Sequence, residues 1–317
     1  MAISEFEQAD ARLVSLSSTV KVVDRQFIGL DWSRPPSSSA ASAARRLTFY
    51  GMKGGVGRST ALGILALRLA QHEKLVLVAD FDLESPGLSS LLLPQERLPS
   101  YGIVDWLVED RVGQADAGLL SQLTAQSPLA DGQPGKIIVL PAFGAGESHY
   151  IEKLARVYPP VERGGVGVEE FTDRVARLLK RVEENFRVNC TLLDSRAGLH
   201  DIAATTVTRL QAGALLFAIN SPQTWQAYGL LFRHWQRSPE ITAGFRENLK
   251  IVDALVPETE RSRHRETMID SAHQLFADTI YEESTGEDFE AFNFGPQRHR
   301  CTPLSTTNQL ESAFPTV

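Results

Sequence analysis

The sequence predicts an α/β protein in which helices cover both faces of a doubly wound, mostly parallel sheet. Three observations carry that expectation. Short apolar runs recur along the 317 residues, segments of helical period lie between them, and one run passes directly into a glycine-rich turn. Continuous apolar runs are what strands buried on both faces require; half-exposed strands would alternate instead.

The elements follow in order. Residues 1–45 read as an N-terminal arm, in which an amphipathic stretch and the segment 27–32 precede Ser33-Arg34-Pro35-Pro36-Ser37-Ser38-Ser39-Ala40-Ala41-Ser42. That Pro/Ser/Ala composition lacks the apolar content of a packed core, and the segment is expected to be a linker. Residues 46–317 are expected to form the domain itself. Strands are expected at 47–50, 75–79, 137–140, 190–193, 214–219 and 250–255. Helices are expected at 59–72, 169–185, 223–237 and 261–278, where apolar residues recur at helical spacing. Residues 282–317 have no clear period and read as an irregular closing segment.

Composition narrows the function classes. A formal net charge of −7 argues against a protein that meets nucleic acid over its whole surface and leaves only local basic patches for that role. No apolar run is long enough for a membrane span. The first ten residues carry Glu5, Glu7 and Asp10 and no export signal, so a cytoplasmic protein is expected. Cys190 and Cys301 lie too far apart in sequence for a metal knuckle or redox pair, and Cys190, within an apolar run, reads as a buried small hydrophobe.

The chemistry concentrates after the strand at 47–50, in Gly51-Met52-Lys53-Gly54-Gly55-Val56-Gly57-Arg58-Ser59-Thr60. Closely spaced glycines let backbone N–H groups converge on phosphate oxygens, and the helix that follows adds its N-terminal dipole. Gly54, Gly55, Val56, Gly57, Arg58, Ser59 and Thr60 are thus candidate phosphate contacts, with Ser59 a candidate Mg²⁺ ligand. The second strand ends in Asp80-Phe81-Asp82-Leu83-Glu84, whose alternation sends both aspartates to one side of the sheet's C-terminal edge. The fourth delivers Leu192-Leu193-Asp194-Ser195-Arg196-Ala197-Gly198, an apolar run ending in an acid, and makes Asp194 a candidate water-mediated Mg²⁺ ligand.

The loop Lys53-Gly54-Gly55-Val56-Gly57-Arg58-Ser59-Thr60 resembles the KGGVGK[ST] loop of the ParA/MinD family of deviant Walker-A P-loop ATPases. The resemblance extends over about residues 47–257. Val139-Leu140-Pro141-Ala142 looks like that family's strand-end "LPA", and Ile219-Asn220-Ser221-Pro222-Gln223 looks like its "TxPE" turn. It implies ATP and Mg²⁺ as ligands, Lys53 reaching across an ATP-dependent homodimer to the partner's triphosphate, Asp82 orienting the attacking water, and Asp80 supporting the metal shell. Two positions depart from the pattern. Arg58 stands where the family has its phosphate-gripping lysine, which puts hydrolysis in question because a planar guanidinium does not place charge as an ammonium does. Arg196 stands where the family often has proline, and is either a contact to the triphosphate or partner or a solvated loop arginine. Ala254-Leu255-Val256-Pro257 occupies the expected base-reading segment without an amide side chain, so ATP is preferred by resemblance only.

Family members position plasmids, chromosomes or large assemblies, with an activator protein that triggers release. The chain's last residues lack a basic amphipathic helix, so membrane attachment is not expected. For DNA, the candidates are the row Arg174, Arg177, Lys180 and Arg181 and the cluster Arg261, Arg263, His264 and Arg265, each open to the plainer reading of a solvated helix face. Two functions stay open: an ATP-hydrolysing positioning enzyme, and a weakly hydrolysing, nucleotide-bound regulatory or scaffold subunit.

Overall fold

Apolar runs that must be buried on both faces need a sheet with helices above and below, and that is how the chain is arranged in the computed structural model. It describes residues 12–15, 21–24, 29–146, 149–163 and 167–280. β1 (Arg12–Ser15) and β2 (Lys21–Asp24) form an antiparallel pair. The central sheet contains β3 (Arg45–Gly51), β4 (Leu75–Phe81), β5 (Ala125–Gln126), β6 (Lys136–Leu140), β9 (Cys190–Ser195), β10 (Gly213–Ala218) and β11 (Leu249–Asp253). Between β6 and β9 lies a small antiparallel pair, β7 (Val161–Arg163) and β8 (Gly167–Glu169).

The central order is β11-β10-β3-β9-β4-β6-β5, parallel throughout except for β5 against β6. All six expected strands are present. β11 stops two residues short of the expected end because Leu255, at φ 55°, takes a left-handed conformation that an extended strand cannot continue through. The two-residue β5 escaped the sequence reading because it is too short to show a period.

The longer helices are α1 (Arg58–Gln71), α2 (Ile103–Arg111), α3 (Tyr150–Val157), α4 (Phe171–Phe186), α5 (Pro222–Gln236) and α6 (Arg261–Ala277). Alternation on β4 shows how they share the sheet. Val76 and Val78 join Leu62, Leu65 and Leu69 of α1 in one apolar cluster, whereas Leu77, Ala79 and Phe81 join Val175, Leu178 and Val182 of α4 in another. A third cluster packs Tyr228, Phe232 and Trp235 of α5 with Met268 and Phe276 of α6. Each large side chain so buried contributes about 1.5–3 kcal/mol. Cys190 sits within the α1-side cluster, where burial pushes its thiol up to about 12, so it behaves as a small core residue.

Two expectations are corrected here. The Pro/Ser/Ala stretch expected to be a linker is packed. Trp32 lies between Tyr50 and Trp235 at centroid distances of 5.8 and 5.9 Å, and Ala40 is buried in the core. Ser37 donates its N–H to the Arg209 carbonyl at 2.9 Å and its hydroxyl to Asp173 at 2.6 Å, and Arg34 pairs with Glu170 at 2.6 Å. Average composition missed this because one tryptophan and a few well-placed hydroxyls suffice to pin a segment to a finished surface.

The basic row on α4 is the second correction. Arg174 is wholly buried, donating to Asp110 at 3.0 Å and to the Val157 carbonyl at 2.9 Å. Arg177 pairs with Asp110 at 2.7 Å and with Glu169, and stacks over the Trp106 ring at 5.8 Å. Arg181 bonds the Ala115 carbonyl at 2.9 Å. Helical spacing placed these residues along one side of the helix, but Arg174 and Arg177 are taken up by protein, while Lys180 and Arg181 are exposed. Cys301 and residues 282–317 lie outside the described residues.

Candidate functional site

The loop between β3 and α1 has the backbone that its glycines allow. Gly55 and Gly57 have φ of 74° and 81°, and Gly57 is the N-cap of α1 without any side-chain cap bond. The first N–H groups of α1 therefore keep their donors for a ligand. No atom lies within 4 Å of where a Cβ would stand on Gly54, Gly55 or Gly57, so the concavity in front of the loop is open. Val56 is buried and anchors the loop, while Thr60 is exposed at the start of the helix. Lys53 is exposed and donates to Gln223 Oε1 at 2.5 Å, at the N-terminus of α5 within the same chain.

β4 and β9 place the carboxylates beside this loop. Asp80 and Asp194 are direct register partners across the two strands. Ser59 donates to Asp194 Oδ2 at 2.6 Å. Asp80 accepts the N–H groups of Asp82 at 3.1 Å and Leu88 at 3.2 Å. Burial, then the facing Asp194 charge, pushes the Asp80 carboxyl up to about 8. Burial likewise pushes Asp194 up to about 6, against the Ser59 bond and the Arg58 charge, and raises Asp82 against Arg58 and Arg196.

Asp82 Oδ1 and Asp194 Oδ1 are buried without a hydrogen-bond partner. Buried carboxylate oxygens are ordinarily satisfied, and two orphans beside a free helix N-terminus mark a place for a cation with its own ligands. Among the described residues no group of three or more His, Cys, Asp or Glu side chains is arranged to hold a metal alone.

The two unusual arginines are both engaged. Arg58 is buried, donates to the Ser195 carbonyl and pairs with Asp82 at 3.6 Å. Its guanidinium is turned away from solvent, toward the end of β9 and the residue that follows β4. Arg196 pairs with Glu84, which also accepts from the Tyr158 hydroxyl. Tyr150 donates to the Leu83 carbonyl at 2.7 Å, so two tyrosines tie α3 and the residue after it to the stretch 82–84.

Sequence reasoning had singled out Lys53, Arg58, Ser59, Asp80, Asp82 and Asp194, and the fold brings all but Lys53 into one charged cluster. It missed Gln223, Ser195 and Glu84 as partners, although each stood inside a quoted motif. Tyr150 and Tyr158 had no signal, because nothing local says which loop a surface tyrosine will meet. In the segment expected to read the base, Leu255 is 62% exposed and left-handed.

No family model and no curated protein matches the sequence. Solved structures do. A ParA family ATPase from Chlorobium tepidum TLS is 16% identical with a TM-score of 0.50, over 86% of this chain and 100% of that one. A protein from Corynebacterium diphtheriae is 15% identical with a TM-score of 0.51 over the same shares. Cobyrinic acid a,c-diamide synthase from Mycobacterium smegmatis, solved with ADP and magnesium, is 17% identical with a TM-score of 0.50, over 73% of this chain and 82% of that one. At such identities the likeness is one of architecture, and it agrees with the strand order and loop placement above: the chain has the P-loop fold shared by ParA-type ATPases and their structural neighbours.

Proposed function

We propose that this chain is a ParA/MinD-like protein that binds Mg-ATP and acts as a nucleotide-dependent dimerisation switch in partitioning or positioning DNA or a cellular assembly. The observation that carries this reading is the convergence of an uncapped glycine loop and helix N-terminus with Ser59, Asp80, Asp82 and Asp194, two of whose buried oxygens lack partners. Loop amides from Gly54 to Thr60 cradle the phosphates, and Ser59 ligates Mg²⁺ with Asp80 and Asp194 behind it. The metal's part is to neutralise phosphate charge. Asp82 is the residue proposed to orient water. Lys53, exposed and bonded to Gln223 among the described residues, is available to a second copy.

The DNA role falls to Arg261, Arg263, His264 and Arg265 at the start of α6, where all three arginines are exposed. An activator protein is proposed by resemblance alone. No described helix is long and apolar enough to cross a membrane. The cytoplasm is the proposed location.

A specific observation favours a second reading, a weakly hydrolysing regulatory or scaffold subunit. Arg58 occupies Asp82, so in this conformation the proposed water-orienting carboxylate is engaged by the residue that replaced the loop lysine.

Two measurements test the core of the proposal. Calorimetric titration with Mg-ATP gives binding that the double variant Gly57→Val, Ser59→Ala abolishes, and light scattering gives a mass increase with ATP that Lys53→Ala removes. Unchanged affinity in the double variant ends the phosphate-loop reading. A mass that ignores nucleotide ends the switch.

A further inference from the structure

A polyanion entering the loop meets few uncommitted charges. Arg58 faces the Ser195 carbonyl and Asp82 in a buried setting, 8% exposed, and Lys53 reaches sideways to Gln223. One further guanidinium borders the loop. Arg196 lies between Ser195, whose carbonyl receives Arg58, and Gly198, whose N–H donates to the Gly51 carbonyl at 3.1 Å. The Gly198 carbonyl in turn accepts from the Tyr50 hydroxyl at 3.1 Å. The backbone on both sides of Arg196 is thus bonded to the phosphate-loop region, on the same turn that follows Asp194.

The side chain of Arg196 pairs with Glu84, and the two are 24% and 27% exposed. Its charge also acts on Asp82. The pair is partly exposed and Arg196 Nη1 makes no hydrogen bond, so Arg196 changes partners at less cost than Arg58, whose contacts are buried. A guanidinium also suits a phosphate group, since its fork donates two parallel bonds.

Resting on the nucleotide reading above, we propose that Arg196 is the terminal-phosphate-binding residue of this chain, and that Glu84 is the internal anion holding it until a triphosphate arrives. A triphosphate displaces the Glu84 carboxylate from Arg196. Glu84 keeps its bond from Tyr158, so the stretch 82–84 changes partners when the terminal phosphate is present and not when it is absent. Discrimination of triphosphate from diphosphate then resides in the turn after β9, which compensates for the commitment of Arg58.

The test is titration of the full chain with Mg-ADP and with a non-hydrolysable Mg-ATP analogue, for wild type, Arg196→Ala, Arg196→Lys and Glu84→Gln. Arg196→Ala should weaken the triphosphate analogue by about ten- to a hundred-fold and ADP by less than about threefold. Arg196→Lys should retain part of the preference. Glu84→Gln, which leaves Arg196 in place and removes its competitor, should tighten the analogue several-fold. If Arg196→Ala weakens both nucleotides equally or neither, or Glu84→Gln tightens nothing, Arg196 does not bind the terminal phosphate. The nucleotide reading survives that result so long as the Gly57→Val, Ser59→Ala variant still abolishes binding. A wild-type chain that binds neither nucleotide removes both.

Discussion

At Asp110 and at Asp80 the chain buries the same functional group, and the surroundings treat it in opposite ways. Asp110, near the β7–β8 pair, accepts from Arg163, Arg174 and Arg177 at 2.7–3.0 Å. Burial alone would raise its carboxyl, but the bonds from Arg177 and Arg174 outweigh burial and hold it below the usual range. Asp80 has two backbone N–H groups and a facing carboxylate, and burial pushes it up to about 8. A buried acid surrounded by satisfied cations is structure. A buried acid with like charge opposite and orphaned oxygens beside it is the setting in which the proposed function places a cation.

The sharpest way to break this comparison is Arg174→Ala. It strips Asp110 of a wholly buried partner and should cost about 3–5 kcal/mol in urea unfolding while leaving nucleotide affinity unchanged. A loss below about 1 kcal/mol would show that this cluster is not structural.

At the site, Arg58→Lys should remove the contact to Asp82 and restore the ammonium of the related loops. Turnover should rise by roughly thirty-fold to a thousand-fold, equivalent to about 2–4 kcal/mol of transition-state contact, with little change in affinity. Brisk wild-type turnover, abolished by Asp82→Ala and no faster in Arg58→Lys, would make Arg58 a competent substitute and retire the scaffold reading.

The smallest effect separates the two acids by pH. Because Asp80 is raised in the folded state, the nucleotide-free folded protein binds more protons than the unfolded chain between about pH 4 and 8, and stability falls as pH rises through that window. Asp80→Asn should flatten this slope, gaining stability over wild type at pH 8 and none near pH 4. Asp110, lowered in the folded state, contributes stability above the ordinary carboxylate range that is lost as pH falls below it, and Asp110→Asn should remove that opposite slope. Urea midpoints measured across pH 3–8 check both signs. Equal slopes in the two variants would erase the distinction.

Much of the frame was legible in residues alone. The run from Leu47 to Tyr50 into Gly51–Gly57 announced strand, loop and helix, because strand burial and positive φ are demands met within a few residues. Asp80 and Asp194 were legible for the same reason, each terminating an apolar run, and Asp82 by its alternation with Asp80. Trp32 was not, since a tryptophan before a Pro/Ser stretch gives no hint that Tyr50 and Trp235 will enclose it. Arg174 and Arg177 misled, because periodicity reports a face and not what covers it.

The sequence by itself determined the α/β class, the positions of the six main strands, the phosphate loop and the acids at its edge, since each follows from local periodicity or local backbone chemistry. Only the tertiary structure decided which charges are committed and to whom. Arg58 meets Ser195 and Asp82, Arg196 meets Glu84, and Arg174 meets Asp110, across separations of 24 to 137 residues for the first, 112 for the second and 64 for the third. Charge pairing acts through space at a few ångströms, and which groups come that close is fixed by how the strands are ordered and the helices laid across them.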